Sequence, residues 1–324
     1  MLKILKSGLQ TTVQDLGRTG FQKYGVIASG AMDPFAHRLA NLLVGNNEQA
    51  ATLEITLVGP AIQFTEDALI AVCGGDLSPK VDGSTVRTWQ TLAVRKGNTL
   101  TFGEPRVGAR CYLAIAGGIN VQKVMDSRST YLRAGIGGFQ GRALEKGDEL
   151  PVGQASLQQK VLQHSEKGFD WLLPPARYFE EPVIRMMPGR QFDLFDEASK
   201  ARIFQEAFAV SPNSDRMGYR LEGPCLALET PAELISEAVA FGSVQVPGDG
   251  NPIVLLADRQ TTGGYPKIGQ VASVDLPLIS QLKQGQQLRF KKISMADAQQ
   301  RWIEQEQSIR QIKAAIQLKW EEWT

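Results

Sequence analysis

The sequence predicts a mainly β protein in two β-rich halves, with a few helices and one long helix at the C-terminal end. Three observations carry this. Short apolar runs bounded by turn residues recur at 69–73, 110–116 and 253–257, as buried strands do. A turn-and-strand unit occurs three times: Lys96-Gly97-Asn98-Thr99-Leu100, Lys146-Gly147-Asp148-Glu149-Leu150 and Gln284-Gly285-Gln286-Gln287-Leu288. In each, Gly permits the turn and Leu enters a strand. Finally, the pattern breaks between Val152 and Glu181, where a Gln-rich stretch precedes Leu172-Leu173-Pro174-Pro175, the composition of a boundary. The expected domains are 1–155, 180–292 and a C-terminal helix over 293–324.

The elements follow in order. Asp33-Pro34 is an N-cap with Pro at the first helical position, so a helix runs to about Val44 and stops at Gly45, with Leu39, Leu42 and Leu43 on its apolar face. After the first and third turn units, Phe102 and Phe290 repeat at the period of two expected of a sheet face. A second helix is expected at 195–208. A third follows Ser294 and runs to about Trp320; Trp302, Ile303, Ile309, Ile312, Ile316 and Trp320 are broadly helix-spaced. This reads as a surface helix packed on the body, with an oligomer or partner contact as the alternative.

Composition excludes several classes. The chain has 324 residues, and its 35 Lys and Arg against 34 Asp and Glu leave a net charge of +1. A generally basic nucleic-acid or membrane-surface protein is excluded, though a local basic site is not. Cys73, Cys111 and Cys225 lie in apolar or small surroundings and form no CxxC, so they read as buried, reduced thiols of a cytosolic protein. His37 and His164 have no HxxxH or HExxH partner, which argues against a His-rich zinc site, and no GxSxG marks a hydrolase nucleophile. No apolar h-region follows Met1–Lys6 and no run of about 18 apolar residues occurs, so the expected location is the cytoplasm.

Nucleotide motifs are also missing. There is no GxxxxGK followed by Ser or Thr, and Gly135-Ile136-Gly137-Gly138-Phe139-Gln140-Gly141 misses the dinucleotide spacing at Gln140. Met186-Met187 has no Lys between its methionines, so no biotin is expected on this chain.

Four polar clusters remain. The first is Val13-Gln14-Asp15-Leu16-Gly17-Arg18 with Gly25-Val26-Ile27-Ala28-Ser29-Gly30-Ala31-Met32-Asp33. The second is Ser127-Arg128-Ser129-Thr130-Tyr131 with Gly137-Gly138 and Gly141-Arg142. The third is Ser214-Asp215-Arg216-Met217-Gly218-Tyr219-Arg220-Leu221. The fourth joins Ser236-Glu237, Gln245-Val246-Pro247-Gly248-Asp249-Gly250 and Asp258-Arg259-Gln260-Thr261-Thr262-Gly263-Gly264-Tyr265-Pro266. Singly, each has a structural reading: Asp33 a helix cap, Pro247–Gly250 a turn, Asp215-Arg216 a surface pair. Together, Gly backbone, hydroxyls and Arg are suitable chemistry for an anion or amide.

These clusters, in this order, resemble the 5-oxoprolinase C-type subunit family, also called KipA-like or allophanate hydrolase subunit 2-like, which is related to the carboxyltransferase domain of urea carboxylase. The match spans about residues 5 to 290. Asp126 departs from it, since Gly usually precedes Ser-Arg-Ser-Thr. The resemblance implies two tandem cyclophilin-like β-barrel domains. It also implies an ATP-dependent opening of 5-oxo-L-proline to L-glutamate, shared with two further chains, one KipI-like and one LamB/YcsF-like. ATP would be shared with those chains, with Mg2+ admitted beside it. A carboxyltransferase half-site acting on urea or another amide is the alternative enzyme, and a regulator binding a KipI-like kinase inhibitor is the non-enzyme reading.

The nominated catalytic residues are Asp258, Arg128 and Asp249. For substrate or nucleotide contacts the nominees are Ser29, Asp33, Ser129, Tyr131, Arg142, Asp215, Arg216, Gln245, Gln260, Thr261, Thr262, Gly263 and Gly264; no metal ligand is nominated. Arg128, Arg142 and Arg216 suit anions. Asp258 and Asp249 suit ligand hydrogen bonds or a metal-bound water, and Gln260, Thr261 and Thr262 suit an amide.

Overall fold

In the computed structural model, which describes residues 1–157, 159, 172–174, 182–230 and 233–321, the opening strand β1 (Leu2–Lys6) buries Leu2 and Ile4 and exposes Lys3. That alternation places one face of the strand on a core. The strands that follow are β2 (Gln10–Gln14), β3 (Thr52–Thr56), β4 (Ala61–Phe64), β5 (Ala68–Asp76), β6 (Lys80–Val81), β7 (Ser84–Thr85), β8 (Thr91–Val94), β9 (Thr99–Thr101), β10 (Val107–Ile115) and β11 (Glu149–Leu150). They build a six-stranded sheet, β11-β1-β4-β9-β6-β7, and a five-stranded sheet, β2-β3-β10-β5-β8. One core cluster takes Ile4, Phe64 and Leu100 from the first sheet and Ile55, Ile70 and Leu113 from the second. Helix α1 (Pro34–Leu43) buries Ala36, Leu39, Ala40 and Leu43 and packs on β5 and β10. Its start is as expected: Asp33 accepts the Ala36 N–H at 2.9 Å, with Pro at the head of the helix.

This first half corrects the expectation of two tandem cyclophilin-like barrels. Its two sheets stay open, and among the described residues a closed barrel occurs only in the second half. The physical reason is the pairing: among the described residues the edge strands β11 and β7 of one sheet and β2 and β8 of the other meet no further strand, so neither sheet closes on itself. With α1 on its outer side, the centre of the five-stranded sheet is buried on both faces, and β5 is buried continuously from Leu69 to Gly75. A simple barrel wall with one side in water alternates instead.

The chain divides into two compact units: Met1–Arg18, Ser29–Arg177 and Ser308–Thr324 in one, Thr19–Ala28 and Tyr178–Gln307 in the other. The second unit contains β12 (Val183–Pro188), β13 (Ala207–Val210), β14 (Gly218–Glu222), β15 (Glu237–Ala238), β16 (Ser243–Gln245), β17 (Ile253–Leu255), β18 (Thr262–Gly263), β19 (Lys267–Val271) and β20 (Gln287–Lys292). Seven of these close as β12-β19-β16-β17-β14-β13-β20. The parallel pair β12–β20 completes the ring, with Ile184 opposite Phe290. Ile184, Phe208, Leu221, Val254, Ile268 and Leu288 are completely buried. β15 and β18 pair separately as a small two-stranded sheet.

The remaining helices are α2 (Glu197–Gln205), α3 (Leu276–Ser280) and α4 (Met295–Glu321). Asp196 caps α2 through the Ser199 N–H. Ser294 caps α4, its Oγ accepting from the Asp297 N–H at 3.1 Å and donating to Asp297 Oδ2 at 2.7 Å. Along α4, Ile309, Ile316 and Trp320 are buried whereas Trp302 and Ile303 are exposed. Gly97, Gly147 and Gly285, the turn residues of the repeated unit, all have positive φ. Among the described residues no helix is long and apolar enough to cross a membrane. His164 and most of the Gln-rich boundary lie outside the described residues.

Candidate functional site

Asp15 follows β2 and is the centre of a polar knot in the first unit. Its carboxylate accepts from Ser127 Oγ at 2.7 Å, Ser129 Oγ at 2.5 Å, the Arg128 N–H at 2.5 Å and the Gly17 N–H at 2.8 Å. Burial raises its pKa, but these hydrogen bonds outweigh burial and hold it below the ordinary carboxyl value. The Asp15 carbonyl accepts the Ala31 N–H at 2.9 Å. The Arg18 side chain, also buried, donates to the Ser129 carbonyl. Gly137 is required here, since its φ is 68 and a Cβ would stand 2.2 Å from the Ser129 carbonyl oxygen.

The loop before α1 is fixed by β3 and β10. Glu54 Oε2 accepts the Met32 N–H at 2.9 Å and the Tyr112 hydroxyl at 2.8 Å, and Tyr112 Oη accepts the Asp33 N–H at 2.8 Å. Ser29 stands in this loop at φ 54, buried, with no hydrogen-bond partner for its hydroxyl. His37, on α1, is fully buried against Thr52 Oγ1 at 2.9 Å. Burial pushes its pKa down to about 4, against the opposing fields of Asp15 and Glu54.

In the second unit, Arg216 and Asp258 form a two-point ion pair, and the Asp258 N–H donates to the Arg216 carbonyl at 2.8 Å. A cavity of about 670 Å3 lies in the same unit. Leu226, Leu228, Leu234, Val246 and Pro266 line it, with Tyr265 and Phe195 as its aromatic members, and Gly248, Gly264, Cys225 and Glu233 also reach it. Cys225 Sγ donates to the Asp249 carbonyl at 3.2 Å.

The nominated residues fall into three groups. Arg128, Ser129 and Ser29 belong to the first unit's polar segments. The Arg128 guanidinium donates to the Val121 carbonyl at 2.9 Å and Asn120 Oδ1 at 3.0 Å. Tyr131 pairs with Ile136 through the backbone. Arg142 is bound to Asp148 by two hydrogen bonds of 2.7 and 2.8 Å. Asp33 is a cap. In the second unit, Gly264 reaches the cavity; Gly263 packs on Gln245, where a Cβ would stand 2.7 Å from Nε2. The Thr261 carbonyl accepts the Val239 N–H at 3.2 Å, Thr262 lies in β18 and Gln260 is exposed. Asp215 and Asp249 are exposed turn formers that accept the N–H two residues on, from Met217 at 2.7 Å and Asn251 at 3.0 Å. Sequence reasoning did not nominate Asp15, Glu54, Tyr112 or Cys225. Glu54 carried no such signal: between Leu53 and Ile55 it has the alternation of a half-exposed strand, and only the structure shows β3 buried along its whole length.

Two open sheets with a helix on one side, a closed barrel bearing an apolar cavity, and buried carboxylates holding Gly- and Ser-rich loops define a two-unit β protein. Residues 24–292 match the family described as carboxyltransferase domain, subdomain A and B, and the chain belongs to that family. It is 42% identical over 311 residues to the C-type subunit of 5-oxoprolinase from Escherichia coli, covering 94% of this chain and 97% of that protein. The corresponding 5-oxoprolinase chain of Haemophilus influenzae is 38% identical over 298 residues, 92% and 93% of the two chains. The crystal structure of K. lactis urea amidolyase superposes with a TM-score of 0.86 at 32% identity over 95% of this chain, which spans 20% of that enzyme.

Proposed function

We propose that this chain acts as the C-type subunit of an ATP-dependent 5-oxoprolinase, opening 5-oxo-L-proline to L-glutamate together with a KipI-like chain and a LamB/YcsF-like chain in the cytoplasm. The observation that carries this is the 42% identity to a 5-oxoprolinase component over nearly the whole of both chains. The chemistry requires help from other chains. A lactam is a poor electrophile; transfer of a phosphoryl group to its oxygen activates the ring carbon, water adds there, the C–N bond breaks with the nitrogen leaving as the amine, and the acyl phosphate that remains is hydrolysed by a second water to glutamate and phosphate. The sequence has no phosphate loop of its own, so the nucleotide is shared with the partners. Among the described residues no group of three His, Cys, Asp or Glu side chains is arranged to hold a metal, so Mg2+ in this reading travels with the nucleotide phosphates. The loop from Asp258 to Tyr265 is this chain's contribution at the barrel cavity, with Gly264 and Tyr265 at the wall.

A second reading, a carboxyltransferase half-site acting on urea or another amide, is favoured by the urea amidolyase superposition. Assays separate the two. The chain, co-purified with its KipI-like and LamB/YcsF-like partners, is given 5-oxoproline or urea, with ATP in both. Ring opening of 5-oxoproline supports the first reading. Carboxylation of urea on addition of a biotin carrier and carboxylase, with no ring opening, supports the second.

A further inference from the structure

We infer that the barrel cavity binds an uncharged, amine-bearing aromatic ring of nucleobase size and does not receive the carboxylate-bearing lactam; this rests on the 5-oxoprolinase reading proposed above. Size is the first argument. At about 670 Å3 the cavity lies within the range of roughly 300–1,000 Å3 typical of drug-sized ligands, and one five-membered ring fills little of it.

Charge is the second. Among the described lining residues Glu233, at the exposed rim, is the only side chain charged at neutral pH. A carboxylate would enter between Leu226, Leu228, Val246 and Pro266 with no cation to meet it and a like charge at the mouth. Both are unfavourable. Arg216, the cation the sequence offers in this unit for such a group, is instead ion-paired with Asp258 and does not line the cavity. An exocyclic amine reverses the sign, since its N–H groups can donate to the Glu233 carboxylate.

Shape chemistry is the third. Tyr265, about half exposed, brings an aromatic ring to the wall, the fully buried Phe195 packs behind that wall, and prolines 247 and 266 add flat apolar surface. Such walls favour a planar ring that stacks. Two sources supply one: the base of the ATP that the reaction consumes, or a free nucleoside.

Cys225 makes the test local. It lines the cavity and is exposed, whereas Cys73 and Cys111 are buried, so a maleimide labels one thiol of the folded chain. The full chain alone is labelled with N-ethylmaleimide in the presence of adenosine, ATP or 5-oxoproline. Adenosine is expected to slow labelling saturably by the factor 1 + [L]/Kd, about tenfold at nine times Kd, and 5-oxoproline to leave the rate unchanged. ATP that protects like adenosine identifies the nucleotide's base as the source; ATP that fails where adenosine protects identifies a free nucleoside. Glu233→Gln should weaken the protection while keeping the unprotected rate. Protection by 5-oxoproline, or by none of the three, overturns the inference. Because no turnover is involved, this result is independent of whether the assembled complex opens 5-oxoproline.

Discussion

Arg216 and Asp258 are held to each other in the barrel unit, Nε to Oδ2 at 2.9 Å and Nη2 to Oδ1 at 3.1 Å, with both side chains buried. Such a pair is costly to break, because a buried charge is left without its counter-charge. Asp258→Asn should therefore lower unfolding free energy by about 3–5 kcal/mol, measured by urea denaturation. The double variant Arg216→Met with Asp258→Leu should recover much of that loss. If Asp258→Asn retains wild-type stability and loses only activity in the assembled enzyme, the pair serves the ligand instead of the fold.

Acid should destabilise the first unit in two steps. His37 is neutral when folded, with a pKa of about 4 caused by burial, so the unfolded chain binds more protons below its ordinary value of about 6.5. Stability is lost as pH falls from about 6.5 towards 4, by an amount on the order of 3 kcal/mol. Asp15 has the opposite chemistry and the same direction. Its folded pKa is lowered, so its contribution is present above the unfolded carboxyl value of about 3.9 and is lost as pH falls below it. His37→Gln should flatten the upper step and Asp15→Asn the lower one. Equal pH profiles for wild type and His37→Gln would remove His37 as the cause.

The turn that presents Ser127–Ser129 to Asp15 has both central residues left-handed, Met125 at φ 52 and Asp126 at φ 60; the Ser127 N–H closes it on the Val124 carbonyl at 3.3 Å, and the Val124 N–H donates to the Ser127 carbonyl at 2.8 Å. This is a type I′ turn, which favours glycine at its second central position. Asp126 thus replaces the expected glycine while keeping the glycine conformation. Asp126→Gly should raise stability by about 0.5–1 kcal/mol, read as a higher midpoint in urea. A lower midpoint would show that the Asp126 side chain matters more than its backbone.

How far the sequence reaches depends on the range of the interaction. The strands at 110–116 and 253–257, the Asp33 cap, the three glycine turns and the helix after Ser294 are local patterns, and the structure contains them. The closure of the sheets is not local. The continuous apolar runs in β5 and β10 say that both of their faces are covered, but nothing in either says that α1 covers one of them or that the edge strands of the two sheets stay unpaired. The same limit applies to the site. Arg128, Arg142 and Arg216 have the composition of anion ligands, but their protein partners lie elsewhere in the chain: Asn120 for Arg128, Asp148 for Arg142 and Asp258 for Arg216. Asp15 stands in the first polar cluster, but its place at the centre of the knot was not legible there, because the two serines that bind it lie 112 and 114 residues away.

The loop beside the cavity offers a functional contrast. Gln260 is exposed and Thr261 is half-buried, so Gln260→Ala and Thr261→Ala should change stability by no more than about 0.5 kcal/mol. In the assembled enzyme they should raise KM or lower kcat. Wild-type kinetics for both variants would take this loop out of the site.

The most direct measurement is glutamate formation from 5-oxoproline in step with ATP hydrolysis, with each of the three chains omitted in turn. The complete mixture should release glutamate, and omission of this chain, or its use alone, should abolish release. Full turnover by the KipI-like and LamB/YcsF-like chains without it, or by this chain unaided, would contradict the proposed role.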